Sequence, residues 1–330
     1  MRTTAPSHAG RTSNPQVAVI GYLRSPDSEN GFSSDTPRSL GVSLPFLRKD
    51  PPVVSVSVCV PAFEAARTLE QTLRSILSQD VDFELVVLDN ASTDATGEIA
   101  ASFDDPRIRV ERNATTLAIG DNWNRAIALS TGDLVKVVCA DDILLPGSLA
   151  AQLEVMADPA FAISSSRFQV IDEQGELVET GLGLPGLDGV RTSRTLARTI
   201  VRRGPADFGP TAAAMFRREH FDRVGGLRGD LVFPMDVDLF ARVGQFGLFF
   251  GMPDVAAAWR ASSFNLCART STVSKLSETL RFHHRLARDC PLLVSSLDVT
   301  IGDLRLARTA LERLRVRAGQ FLGARIGARR

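Results

Sequence analysis

The stretch DLVKVVCADDILLPGS, residues 133–148, runs an apolar strand pattern directly into two adjacent carboxylates, Asp141 and Asp142. Acids that follow a strand commonly cap the next helix. Here Pro146 suits the first helical position of PGSLAAQLEVM, which puts the cap near Leu145 and leaves both aspartates upstream of it. Two neighbouring carboxylates beside an apolar strand end repel each other and resist desolvation, and a divalent cation with oxygen ligands reverses that cost. A site for Mg2+ or Mn2+ is one reading of the pair; a solvated acidic turn is the other. Asp89 ends a second apolar run, ELVVLD. With Ser92, Thr93 or Asp94 available to cap the following helix, Asp89 is left either to accept a hydrogen bond from a base N–H or ribose hydroxyl, or to close a local Asx turn. Asp236 and Asp238 open FPMDVDLFARVGQFG, in which Leu239, Phe240, Val243 and Phe246 mark the apolar face of a helix. As first-turn acids they would cap that helix and complement its dipole.

These carboxylates need a frame, and the pattern around them supplies one. Strands over 53–60, 83–89, 107–111 and 133–139 alternate with helices over 66–79, 94–103 and 121–131. Such a series with short connections predicts an α/β domain whose mainly parallel sheet is flanked by helices and binds ligands at the carboxyl ends of its strands. Beyond residue 160 the expected order is a hairpin around DEQGE, a helix near 192–203, a strand at TAAAMF, a helix at 236–246, a strand around 248–260, and helix from 275 to the end. Residues 1–50, rich in Ser, Pro, Thr, Gly and Arg, carry too little apolar surface to offset the entropy of ordering and read as a disordered leader.

Composition narrows the class of function. With 44% hydrophobic and 23% charged residues and a formal net charge of +0, the chain has material for a large core and no electrostatic reason to seek nucleic acid. Cys59, Cys139, Cys267 and Cys290 show no CxxC spacing, which argues against a zinc site or a disulfide framework and for a reducing cytosol. No apolar run reaches the roughly 20 residues needed to cross a bilayer, and QVAVIGYL is too short for a signal peptide.

Several blocks, in order, now carry a resemblance. VSVCVPAFEAARTLEQTLRSIL, ELVVLDNASTDATGEIA, RNATTLAIGDNWNRAIALSTGDLVKVVCADDILLP and PMDVDLFARVG resemble the successive blocks of a family-2 glycosyltransferase with the A-type glycosyltransferase fold, over roughly residues 53–262. The resemblance implies a nucleotide-sugar donor, a hexosyltransferase-like reaction that inverts the anomeric carbon, and a glycan or lipid-linked acceptor in surface polysaccharide synthesis. It makes Ala140-Asp141-Asp142 the metal-binding triplet, with Asp142 the direct ligand and Asp141 facing the ribose or sugar. Pro61, Ala62, Phe63 and Asp89 would line the nucleotide pocket, Asn122 would approach the donor, and Asp236 would be the catalytic base with Asp238 a structural acid beside it. On the residues alone, Asn122, Trp123 and Asn124 serve equally as caps and packing groups, and Arg217, Arg218 and Arg223 read as a solvated face ahead of diphosphate ligands. The chemistry agrees: a diphosphate leaving group gathers negative charge that a cation stabilises, while a carboxylate on the opposite face of the sugar takes the acceptor's proton. The implied organisation is a leader over 1–50, a nucleotide-sugar-binding half over 51–160, an acceptor half over 161–268, and a helical basic extension over 269–330.

The sequence departs from the family at Glu64, where many relatives carry Asn, and at Ser262, where relatives often place a histidine two residues after the arginine that ends the late strand. These departures support one rival reading, a nucleotide-sugar-binding regulatory or assembly subunit without turnover. A nucleotidyltransferase would show a Gly-rich basic loop after the first strand, which PAFEAARTLE lacks. In the extension, Leu304, Ala307, Leu311, Leu314, Ala318 and Phe321 form an apolar stripe among Arg305, Arg308, Arg313, Arg315, Arg317 and Arg325. That pattern suits peripheral contact with an anionic membrane at its inner face, docking on the catalytic domain, or a homo-oligomer contact.

Overall fold

The computed structural model describes residues 54–327, so the leader expected over 1–50 lies outside the described residues. β1 (Val56–Ala62) is buried along its whole length. Its alternation sends Val58 and Val60 into one apolar cluster and Cys59 into the other, so the strand has a core on each face. β1 pairs in parallel with β2 (Glu84–Asp89) on one side and β4 (Leu134–Val137) on the other, and β2 pairs in parallel with β3 (Ile108–Arg112). The crossovers are α1 (Leu69–Leu77), α2 (Thr96–Ala101) and α3 (Ile119–Leu129). α1 covers one face with Leu69, Leu73 and Ile76, all fully buried, each contributing about 1.5–3 kcal/mol of transfer free energy. α3 covers the other face with Ala126 and Ile127. The carboxyl ends of β1, β2 and β4 therefore share one edge.

After β4 the chain turns through Ala140, Asp141 and Asp142 into β5 (Ile143–Leu144), which runs antiparallel to Ala257 and Ala258 of β10 (Leu248–Arg260). α4 (Ser148–Met156) begins later than Pro146 suggests. Gly147 is its N-cap at φ 75°, a left-handed conformation that glycine adopts without penalty, and it has no side chain with which to cap. Gln79, just past α1, does that work: its Oε1 accepts from Leu149 N at 3.2 Å and Ser148 Oγ at 3.3 Å. Both aspartates remain upstream of the helix.

The later elements extend the same sheet. β6 (Phe161–Ile171) and β7 (Leu177–Leu182) form the hairpin expected around DEQGE, closed by Asp172 N donating to Glu176 O at 2.9 Å. β8 (Gly189–Arg191) leads to α5 (Ser193–Arg203). The strand expected across TAAAMF is shorter: Thr211–Ala213 is a 3-10 turn, and only β9 (Ala214–Arg217) joins the sheet, antiparallel to both β4 and β6. α6 (Arg218–Val224), α7 (Met235–Val243), β10, α8 (Leu266–Arg269), α9 (Thr272–Asp289) and α10 (Ser296–Gly327) complete the order. The strands lie in the order β3-β2-β1-β4-β9-β6-β10-β5, parallel through the first four and mixed beyond them.

The helical stretch expected from 275 is two helices, interrupted around Pro291. α10 starts with a reciprocal cap in which Asp298 N donates to Ser295 Oγ and Ser295 N donates to Asp298 Oδ2. Asp298, fully buried, also binds Arg198 and Arg202 of α5. Leu306, Thr309 and Ala310 line a cavity shared with α5 and α9, whereas Leu304 and Leu311 are 66% and 56% exposed. Over the described residues, then, the apolar stripe does not dock on the catalytic domain; the side chains of Leu314, Ala318 and Phe321 lie outside the described residues. Cys59, Cys139 and Cys290 are free thiols, and among the described residues no helix is long and apolar enough to cross a membrane.

Candidate active site

Three turns follow the parallel strands at their carboxyl edge. After β1, Pro61 and Ala62 are buried within the strand, and Phe63 stands 51% exposed at the rim. Glu64 then adopts φ 50°. Asn tolerates this left-handed region better than other residues with a side chain, so the family's Asn has a physical reason here. Glu64 is held there because its carboxylate accepts from Thr93 N at 2.7 Å while its own N–H donates to Ser92 Oγ at 3.0 Å. The turns after β1 and β2 are thereby tied together.

Asp89, at the end of β2, is 1% exposed and ion-paired with Arg112, and its Oδ1 accepts from Ser92 N at 2.9 Å. That second contact is the Asx-type turn, so the carboxylate already has partners on both oxygens. Gly97 makes room for the pair: a Cβ there would sit 3.0 Å from Asp89 Oδ2 and 3.2 Å from the Arg112 guanidinium. Asp94 accepts from Thr96 N at 3.0 Å, as an acid before a helix should, although Ala95 holds the cap position. Asn122 is buried, and its Oδ1 accepts from Asn113 Nδ2, which also donates to Asn90 Oδ1. None of Asn122, Trp123 and Asn124 caps α3, because the helix already begins at Ile119 behind Ala118. Asn122 instead braces the loops after β2 and β3, and Asn124 holds Leu227 through both its amide groups.

The turn after β4 is the most tightly held. Asp142 N donates to Cys139 O at 3.0 Å, and Thr68 Oγ1, just ahead of α1, donates to Ala140 O at 2.9 Å. Arg260, at the end of β10 and 1% exposed, fixes the rest. Its N–H donates to Asp142 Oδ1 at 3.2 Å, its Nε to Asp141 O at 3.0 Å, and its terminal nitrogens to Gln71 Oε1 and to the carbonyls of Asp172 and Glu173. Ligand atoms of Cys139, Asp141 and Asp142 all lie within 4.8 Å of one another. Burial raises the pKa of Asp141, and burial together with the charge of Asp141 raises that of Asp142. With no cation the pair resists double ionisation, and a hard divalent ion would supply the missing positive charge. The oxygen donors and the hydrogen bonds behind them fit Mg2+ or Mn2+.

Asp236 comes from a different element of the chain, and its charge is felt at Cys139. It sits in the first turn of α7, where its Oδ1 accepts from Val237 N at 2.8 Å, and burial pushes its pKa up to about 6. Burial first, then the charges of Asp142, Asp141 and, more weakly, Asp236, push up the Cys139 thiol. Asp238 points away from it, fully buried against Arg242 at 2.7 Å and Arg228 at 3.4 Å. Arg217 and Arg218 prove to be neither a solvated face nor free to meet a diphosphate. Arg217 donates to the carbonyls of Phe161, Met156 and Asp158, Arg218 to those of Gly132 and Ile127, and Arg223 lies over the Phe246 ring. Ser262 Oγ donates to Asn265 Oδ1 at 2.9 Å, and neither buried histidine, His220 or His283, stands beside the aspartates.

Comparison with known proteins agrees with this geometry. Residues 57–225 match the model of "Glycosyl transferase family 2". The succinoglycan biosynthesis protein ExoU of Rhizobium meliloti is 28% identical over 68% of this chain and 68% of its own. The first curated relatives are matched over less of their length: this chain spans 61%, 53% and 46% of the first three. Among solved structures, S. aureus TarS 1-349 in complex with UDP-GlcNAc superposes with a TM-score of 0.57 at 16% identity, over 78% of this chain and 71% of that one. The mannosyltransferase PcManGT of Pyrobaculum calidifontis, in complex with GDP-Man and Mn2+, gives 0.55 at 20% identity, over 84% and 81%. The sheet, the carboxyl-edge turns and the matched span make this chain a member of glycosyltransferase family 2, with the A-type glycosyltransferase fold.

Proposed function

We propose that the protein is an inverting, metal-dependent transferase that moves a hexose-like sugar from a nucleotide diphosphate to a glycan or lipid-linked acceptor in surface polysaccharide synthesis. The observation that carries this reading is the convergence of ligand atoms of Cys139, Asp141 and Asp142 within 4.8 Å of one another at the carboxyl edge of the parallel strands, with Asp236 the buried acid assigned the role of base. Asp142 would hold the cation and Asp141 the ribose or sugar. Pro61, Ala62, Phe63 and Asp89 would shape the nucleotide pocket, with Asn122 bracing it from behind. When bound, Mg2+ or Mn2+ supplies charge stabilisation to the diphosphate leaving group. Asp236 orients the acceptor hydroxyl and takes its proton as the new C1–O bond forms and the old C1–O bond to the diphosphate breaks, which inverts C1 in one displacement. A carboxylate whose pKa lies near 6 is a better base for this step than an ordinary one, and it remains ionised at neutral pH.

Support for a nucleotide-sugar donor comes from the complexes of the structural neighbours with UDP-GlcNAc and GDP-Man, and for polysaccharide synthesis from the name of the ExoU relative. In this reading 51–160 serves the donor and 161–268 the acceptor. The extension over 269–330 sets the enzyme against the inner face of an anionic membrane, where a lipid-linked acceptor would be met. Calorimetric titration with UDP, dTDP, GDP and CDP, with and without Mn2+, tests the donor site. One nucleotide is expected to bind in a metal-dependent way in the native chain and not in Asp142→Ala. A folded protein that binds none of them overturns the transferase and moves the assignment to the regulatory or assembly subunit.

A further inference from the structure

We propose that Cys139 joins Asp142 as a ligand of the metal site, and that its sulfur shifts the site's preference from Mg2+ toward softer divalent ions such as Co2+, Zn2+ and Cd2+. The inference rests on the donor-site reading and names the kind of ion it takes. Cys139 stands where β4 gives way to the aspartate turn, and its Sγ lies within 4.8 Å of a carboxylate oxygen on each of Asp141 and Asp142. Metal–oxygen bonds of about 2.0–2.2 Å and metal–sulfur bonds of about 2.3 Å let one ion span donors up to about 4 Å apart, so the Cys139 and Asp142 donors reach a common ion by drawing in by no more than about 1 Å. The turn's backbone is already braced by Thr68 on Ala140 O and by Arg260 on Asp141 O, and the Asp142 carboxylate accepts from Arg260 N, so the turn and one donor are held before an ion arrives.

The bland account of Cys139 is that it fills space as a small apolar residue. Its surroundings differ from those of the other described cysteines. Cys59 and Cys290 are buried within the apolar cluster on one face of the sheet, whereas Cys139 is only partly buried and its one polar contact is Thr211 Oγ1 at 3.5 Å. Thiolate sulfur favours softer ions over Mg2+, which takes oxygen. On binding, the S–H bond breaks, the proton passes to solvent and the sulfur's electron pair forms the metal bond, so occupancy by a soft ion releases a proton and weakens at low pH.

The test is optical. Co2+ or Cd2+ is titrated into the purified full chain and into Cys139→Ser, with circular dichroism reporting the fold and Cys139→Ala as a second variant should the serine form fail to fold. A sulfur-to-metal charge-transfer band is expected in the native chain and absent from the variant. Cd2+ affinity is expected to fall about tenfold or more in Cys139→Ser, while Mg2+ affinity changes by less than about threefold. A band that survives the substitution, no band in the native chain, or equal losses for Cd2+ and Mg2+ overturns the proposal. Nucleotide titration in Mg2+ separates the two claims. Nucleotide binding without a band removes the thiol ligand and leaves the donor site; a band dependent on Cys139 and Asp142 without nucleotide binding does the reverse.

Discussion

At the scale of single residues, Asp236 carries two demands that pull against each other. As a base it must be ionised, yet burial raises its pKa from 3.8 to about 6, so the folded protein prefers it protonated. The folded state binds the extra proton between those values, and stability falls as pH rises through that window. Asp236→Asn removes the buried charge: at pH 8 thermal denaturation is expected to show a gain on the order of 2 kcal/mol, while sugar transfer falls about 10²–10⁴-fold. In the native enzyme kcat/KM should rise with pH through about 6, the value burial gives this carboxyl. Loss of stability in the variant, or a transfer rate flat across that range, would remove Asp236 from the role of base. The acids were legible in the sequence because two carboxylates after a strand, or an acid opening a helix, are local patterns. Arg260 was legible only as the arginine ending a late strand; that it grips both aspartates depends on a pairing 118 residues away. Nothing in the spacing of Cys139 from the other cysteines points to it, and its nearness to Asp141 and Asp142 emerges only in the folded turn.

Elements were legible where their period was strong and blurred where a distant partner set the boundary. The βαβ order through residue 137 matches the sequence pattern to within a few residues at each end. The start of α4 was misplaced because its cap comes from Gln79, some seventy residues upstream, and no local rule sees that. Lys136 shows the same limit: it lies fully buried in β4, with Nζ donating to Gln152 Oε1 at 2.5 Å and burial lowering its pKa to about 7, and that partner lies on another element. α10 depends on Asp298. Burial opposes its ionisation, but the Ser295 hydroxyl and N–H, with Arg198 and Arg202, hold its carboxyl well below the usual carboxylate range. A depressed pKa contributes stability above the ordinary carboxylate value and loses it as pH falls. Asp298→Asn is expected to cost about 2–3 kcal/mol in urea denaturation at pH 7 and to expose the chain between α9 and α10 to limited proteolysis, with little difference from the native chain in strong acid. An unchanged urea midpoint at pH 7 would show that α10 is held by packing alone.

At the scale of the whole molecule, the last helix presents Leu304 and Leu311 to solvent on one side while its other side rests on α5 and α9. With arginines spaced along the same helix, that surface suits anionic lipid. The protein is expected to sediment with vesicles containing phosphatidylglycerol at low salt and not with phosphatidylcholine vesicles, and Leu304→Glu with Leu311→Glu should abolish the difference. Concentration-dependent mass in ultracentrifugation, lost in the same variant and without vesicle binding, would assign the stripe to a second copy instead. The strand order beyond residue 160 lay outside what periodicity discloses, because β9 inserts between β4 and β6 from far along the chain.

Arg260 also bears on how such an enzyme can be recombined. It joins the two halves mostly through groups that every residue possesses: the carbonyls of Asp141, Asp172 and Glu173, with Gln71 the one side chain its guanidinium engages. Arg260 itself therefore asks little of the side chains in the β6–β7 hairpin, although Asp172 closes the turn by accepting from Gln174 N and Glu176 N and Glu173 accepts from Ser263; the hairpin's length and the position at which it turns are what its grip fixes. A chimaera that imports the chain beyond residue 160 from a relative should tolerate divergence at the exposed positions of β7 and fail on a single residue inserted at the turn.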